Sequence, residues 1–73
     1  MEYTILIRKD EEGGFWSEVP ALSGCYSQGE TIEETMDNTK EAIEAHIIAL
    51  KEDQQVIQSE MDFIIGKVSV TAI

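Results

Sequence analysis

Gly13-Gly14, set between the acidic triplet Asp10-Glu11-Glu12 and the aromatic pair Phe15-Trp16, is the point at which this chain has fewest options. A tight reversal needs residues that tolerate positive φ, which the acidic triplet alone resists and two glycines supply. Phe15-Trp16-Ser17-Glu18-Val19 then alternates as a half-buried strand should, and Pro20 ends its ladder by removing a backbone donor. Residues 2–9 alternate as well, with Tyr3, Ile5 and Ile7 on one face and Thr4, Leu6 and Arg8 on the other. A short third strand, about 25–28, follows the turn at Pro20–Gly24. Three strands with connections this short predict an antiparallel meander.

Thr31 with Glu34 three residues later has the spacing of a capping box, and it opens a helix predicted over 32–51. At about 100° per residue, Ile32, Met36, Thr39, Ile43, Ile47 and Leu50 fall in one stripe, which predicts the face packed on the sheet. Glu33, Glu34, Asp37, Glu41 and Glu44 occupy the opposite side. Glu33 and Glu34 favour the helix N-terminus, but Asp37–Glu41 and Glu41–Glu44 are like-charge neighbours that oppose the helix. Ile48 stands among these acids as an isolated branched apolar residue, which marks it as a contact candidate. Beyond a polar connection over 52–60, residues 61–73 are apolar and β-branched. There Val68, Val70 and Ala72 alternate with Lys67, Ser69 and Thr71, so a returning strand with one wet side is expected. The fold class read from this order is α+β, β-β-β-α-β, in a single domain spanning 1–73.

Taken together, Asp10, Gly13, Gly14, Phe15, Val19, Pro20, Leu22, Gly24, Cys25, Gly29, Thr31, Glu34, Asn38 and Ala42 carry a pattern that resembles the HicB family, the antitoxin half of HicA–HicB toxin–antitoxin pairs. The likeness covers roughly the first two-thirds of the chain. Ala21 and Ser23 depart from the family's aspartate and second proline, and Glu30 replaces an aspartate. The resemblance implies a partial ribonuclease H-like fold and a small basic, RNA-cleaving HicA-type toxin as partner. Family members usually continue into a small DNA-binding domain; this chain stops at Ile73, so a short form without direct operator binding is expected.

Length and charge narrow the function further. A chain of 73 residues buries only about 60% of its unfolded surface, so association with a partner or with itself, as a dimer or higher homo-oligomer, is expected. Fifteen acids against five bases give a formal net charge of −10, which repels phosphate backbones and anionic lipid and attracts a basic partner. No direct nucleic-acid or membrane binding is therefore expected. A single cysteine allows no internal disulfide, the N-terminus has no basic signal-peptide region, and no apolar run approaches the roughly 20 residues needed to cross a bilayer, all of which point to the cytoplasm.

Catalysis is not expected. A ribonuclease H-like shape raises the possibility of a metal-dependent nuclease, but acids in the hairpin loop and on an outer helix face fan into solvent instead of converging. Cys25 and His46 lack an evident third orienting group and read as packing residues. No cofactor or metal is predicted. The orientation of Trp16 is open: with Phe15, Ser17 and Val19 inward it joins Glu18 on the outer face, and with the register flipped it is core. The residues singled out for partner binding are Trp16, Glu18, Glu33, Asp37, Glu41, Glu44 and Ile48, with self-assembly without a toxin as the alternative reading.

Overall fold

The structure, a computed structural model, describes residues 1–58 and 64–72. Strands β1 (Leu6–Lys9), β2 (Phe15–Glu18) and β3 (Tyr26–Gly29) form an antiparallel sheet in the order β1-β2-β3, and the helix α1 (Ile32–Glu52) packs across one face. The expected meander and helix are present, with bounds within a few residues of those read from sequence. The first strand is shorter than expected, beginning at Leu6, not near residue 2.

The hairpin forms as the glycines require. Gly13 and Gly14 take φ of 104° and 74°, the Asp10 amide donates to the Gly14 carbonyl at 3.1 Å, and the Asp10 carboxylate accepts from the Glu12 amide. This turn sets Lys9 opposite Phe15, and the register then runs Arg8–Trp16 and Ile7–Ser17. Ser17 and Val19 are buried, so the face carrying Phe15, Ser17 and Val19 points to the helix and Trp16 lies on the other side. At the helix start the Thr31 hydroxyl accepts from the Glu34 amide at 3.0 Å, and the Glu34 carboxylate reaches back to the Glu30 amide. The capping box is closed one residue earlier than its usual form, which returns to the cap residue itself.

The helix is rotated from the orientation its apolar stripe predicts. Ile32 and Met36 are half exposed, at 52% and 51%, while Thr35 and Thr39 are fully buried. The turn is roughly 50° about the helix axis. Its cause is close approach: a Cβ built on Gly29 would meet the Thr35 backbone nitrogen at 2.7 Å, so the first helical turn lies directly on the β3 backbone. Only small side chains fit between such surfaces, and Ser17, Thr35 and Thr39 fill the seam. Their hydroxyls are satisfied there. Thr35 donates to the Thr31 carbonyl at 2.7 Å and Thr39 to the Thr35 carbonyl at 2.5 Å. Ser17 therefore supplies the proton in its 2.6 Å bond to the Thr39 oxygen. The apolar core sits beside this seam, where Val19, Leu22 and Cys25 pack with Tyr3, Ile5, Ala42 and Ile43.

The helix ends in a Schellman arrangement, with the Gln55 amide bonded to the Leu50 carbonyl and the Gln54 amide to Lys51. Gln54 takes φ of 57°, the position glycine normally fills. Of the returning strand expected over 61–73, the described residues 64–72 have no regular secondary structure and are exposed throughout, so neither that strand nor a ribonuclease H-like completion is seen among the described residues. Phe63 and Ile73, assigned to that strand, and Ser59-Glu60 of the connection lie outside the described residues.

Two stability changes are expected. Gly29→Ala forces the helix off the sheet and should cost at least about 2 kcal/mol in urea unfolding. Gln54→Gly relieves a left-handed glutamine and should raise stability by about 0.5–1 kcal/mol, net of the greater freedom of glycine in the unfolded chain.

Candidate functional site

The residues with chemistry fall on two open faces separated by the body of the domain. On the sheet face turned away from the helix, the register lays out two rows, Arg8–Trp16–Gln28 and Leu6–Glu18–Tyr26. Cross-strand neighbours in such rows share a face. The Arg8 guanidinium lies 5.1 Å from the Trp16 ring centre and bonds the Glu18 carboxylate at 2.6 Å. Half of the Arg8 side chain remains exposed, so this ion pair is worth about 0–1 kcal/mol and mainly orients the three side chains. Trp16, Tyr26, Ser27 and Gln28 line a shallow depression beside it. Trp16 thus lies on the outer face with Glu18, as the register with Phe15, Ser17 and Val19 inward has it, and it is half-buried there under Arg8.

The second face is the outward side of α1. Glu33, Asp37, Glu41, Glu44 and Ile48 are all exposed, and at 100° per residue they share an arc of about 80° with Ile48 inside it. That arc lies diametrically opposite Thr35, Thr39 and Ala42, so the rotation of the helix centres the acids on solvent. The structure brings together these five residues, and separately Trp16 with Glu18; it does not join the two groups. Arg8, Tyr26 and Gln28 complete the sheet-face cluster and were not singled out from sequence. The signal that locates Arg8 is the five-residue turn from Asp10 to Gly14, which fixes it opposite Trp16, whereas Tyr26 and Gln28 are placed by the β2–β3 register.

Other candidates stay apart. Among the described residues no three His, Cys, Asp or Glu side chains are grouped as metal ligands. Cys25 is buried at the core end of the turn after β2, and burial pushes its thiol above its ordinary value, which keeps it protonated and weakly nucleophilic. No described helix is long and apolar enough to cross a membrane. On the side of the helix nearest the N-terminal residues, a groove of about 400 Å³ runs between Met1, Tyr3 and Ile5 and the helical Met36, Ile43 and Ile47.

A short antiparallel meander backed by one long helix, with its polar chemistry spread on open faces, defines a small α+β domain of the kind seen in solved antitoxins. The crystal structure of the Burkholderia pseudomallei antitoxin HicB matches with a TM-score of 0.73 at 33% sequence identity, over 86% of this chain and 48% of that one. The family model described as HicB_like antitoxin of bacterial toxin-antitoxin system matches residues 3–67, and the chain belongs to this family. A UPF0150 protein of Thermoplasma acidophilum is 49% identical over 57 residues, 78% of this chain and 83% of that protein. A UPF0150 protein of Synechocystis is 41% identical over 68 residues, 93% and 85% of the two. The chain spans most of the length of these relatives but just under half of the solved HicB.

The Cys25 environment makes a direct prediction. Reaction of its thiol with a disulfide reagent at pH 8 should be at least about 10-fold slower in the folded chain than in urea, as followed by thiolate release. Equal rates would mean that the turn from Val19 to Cys25 does not close over it.

Proposed function

We propose that this chain is an antitoxin that binds a small basic HicA-type toxin and inhibits it by covering the surface with which that toxin grips RNA. The observation that carries this reading is the outward helix face, where four exposed carboxylates form a row that ends at the exposed Ile48, on a member of an antitoxin family. Carboxylates spaced along a helix can stand in for phosphates, so a basic RNA-facing surface is attracted and steered to them. Ile48, 57% exposed, supplies the apolar contact that slows departure. Inhibition of this kind requires no reaction, metal or cofactor from the antitoxin, and it takes place in the cytoplasm, where mRNA is cleaved.

The helix face is favoured over Trp16 and Glu18 because Glu18 is already paired with Arg8, whereas Glu33, Asp37, Glu41 and Glu44 have no basic partner in any described ion pair. One small toxin cannot cover both faces at once, since the sheet and helix lie between them. Trp16 and Glu18 are proposed as a second contact surface. The alternative function, self-assembly with no toxin, is favoured by one observation, the exposure of the apolar segment 64–72.

The test is stopped-flow association with the small basic protein encoded by the reading frame adjacent to this one. Replacing Asp37, Glu41 and Glu44 by lysine should slow association about 10- to 100-fold at low salt and flatten its salt dependence. Ile48→Asp should instead raise the dissociation rate about 10-fold. An unchanged association rate in the triple variant, with its helix intact by circular dichroism, removes the electrostatic mechanism.

A further inference from the structure

We propose that the sheet face turned away from α1 packs on the same face of a second copy of this chain, which makes that copy the occupant of the surface formed by Trp16 and Glu18. The face consists of Leu6, Arg8, Trp16, Glu18, Tyr26 and Gln28, laid out in two cross-strand rows. Aromatic surface is available on it: Tyr26 is 59% exposed and lines the shallow depression beside Trp16. Trp, Tyr and Arg are the side chains most enriched where proteins bind one another, because each joins a large flat surface to a polar end.

Charge selects the occupant. The chain carries a formal net charge of −10, so two copies repel each other in most orientations. On this face Arg8 and Glu18 cancel, and the other four residues are uncharged. Joining two such faces also sets the helices on opposite outer sides. Sheets packed face to face lie about 10 Å apart and each helix adds a further layer, so the two acidic arcs stand farther apart than the roughly 8 Å over which salt screens. Docking helix to helix would instead press like charges together. A basic protein gains little at a neutral face and is drawn to the acidic arc.

The placement of the two charges fixes the symmetry. One Nη of Arg8 bonds one oxygen of Glu18 at 2.6 Å, and half of the Arg8 side chain is exposed. A guanidinium has further N–H groups and a carboxylate a second oxygen, so each can take another partner. A two-fold axis along the strands would stack Glu18 on Glu18 of the other copy, which like charge opposes. An axis across the strands sets Glu18 of each copy beside Arg8 of the other and closes a ring of four alternating charges. The same operation sets Tyr26 of each copy beside Trp16 of the other. The resulting interface is isologous, with the strands of the two sheets aligned to within about 30°. Three strands of four residues cover less than the roughly 800 Å² per partner of a standard interface, so the dimer is a transient one that forms as concentration rises.

The contact makes no use of the toxin and is tested without it, so its failure leaves the toxin reading standing. Full-length chain is followed by sedimentation velocity up to about 1 mM, and a mixture of carbon-13-labelled and unlabelled chain by isotope-filtered NOE spectroscopy. The expected result is a monomer–dimer equilibrium with NOEs from the Trp16 indole of one chain to the Tyr26 ring of the other. Trp16→Ala should raise the dimer dissociation constant about 10-fold or more. Arg8→Glu and Glu18→Arg should each keep the chain monomeric, because each gives the face two like charges. An equimolar mixture of these two variants should dimerise again, which only a contact between chains allows. A monomer at all concentrations, a dimer without these NOEs or indifferent to the three substitutions, or a mixture no more associated than its components would each overturn the proposal. The wild-type NOEs decide the matter even if a variant unfolds.

Discussion

The contact between the β3 backbone at Gly29 and the first turn of α1 governs the rest of this molecule. With the Thr35 nitrogen lying where any Cβ on Gly29 would have to sit, the helix cannot present a large side chain to the sheet at that level. Thr35 and Thr39 take the inward positions, and the hydroxyl of Ser17 meets them from β2. Each hydroxyl is bonded, which is the condition for burying three polar side chains in a seam this tight. The larger residues are displaced to one end, where Leu22 folds back from the turn after β2 and packs with Val19 and Cys25.

Two surfaces follow from that rotation. Turning Thr35 and Thr39 inward carries Glu33, Asp37, Glu41 and Glu44 to the pole farthest from the sheet, where their mutual repulsion is softened by water and by salt. The same turn leaves Met36 and Ile47 on the flank, beside Tyr3 and Ile5. One geometric decision thus yields an acidic face whose members beyond the first turn do not stabilise the helix, and an apolar groove that lies open among the described residues. A helix packed through the middle of its apolar stripe would have offered neither in the same form.

Much of the backbone was legible because its signals are local. Gly13-Gly14 specified the hairpin, Thr31 and Glu34 the start of the helix, and Pro20 the end of β2, each through chemistry that involves only near neighbours. The helix orientation was not legible, because apolar periodicity ignores small polar residues and gives Thr35 no weight against Ile32 or Met36. The helix end was obscured for a similar reason: Gln54 occupies the left-handed position where glycine would have announced it. Of the candidate site, the acidic arc could be read from spacing alone, since it lies opposite the packed face under either orientation. The Arg8–Trp16–Glu18 cluster could not, because it exists only once the hairpin register places three residues from two strands side by side.

The C-terminal segment shows where pattern reading stops and why. Alternation in 67–72 says that these residues can be a strand, but the edge that a strand joins is a property of the whole molecule, or of two. A domain of this size gains little from its own core, and a strand that covers an apolar groove contributes a large fraction of the surface it can bury. Among the described residues, Val68 and Val70 stand in water, so the surface that alternation assigns to one side of a strand is not buried by the rest of the chain.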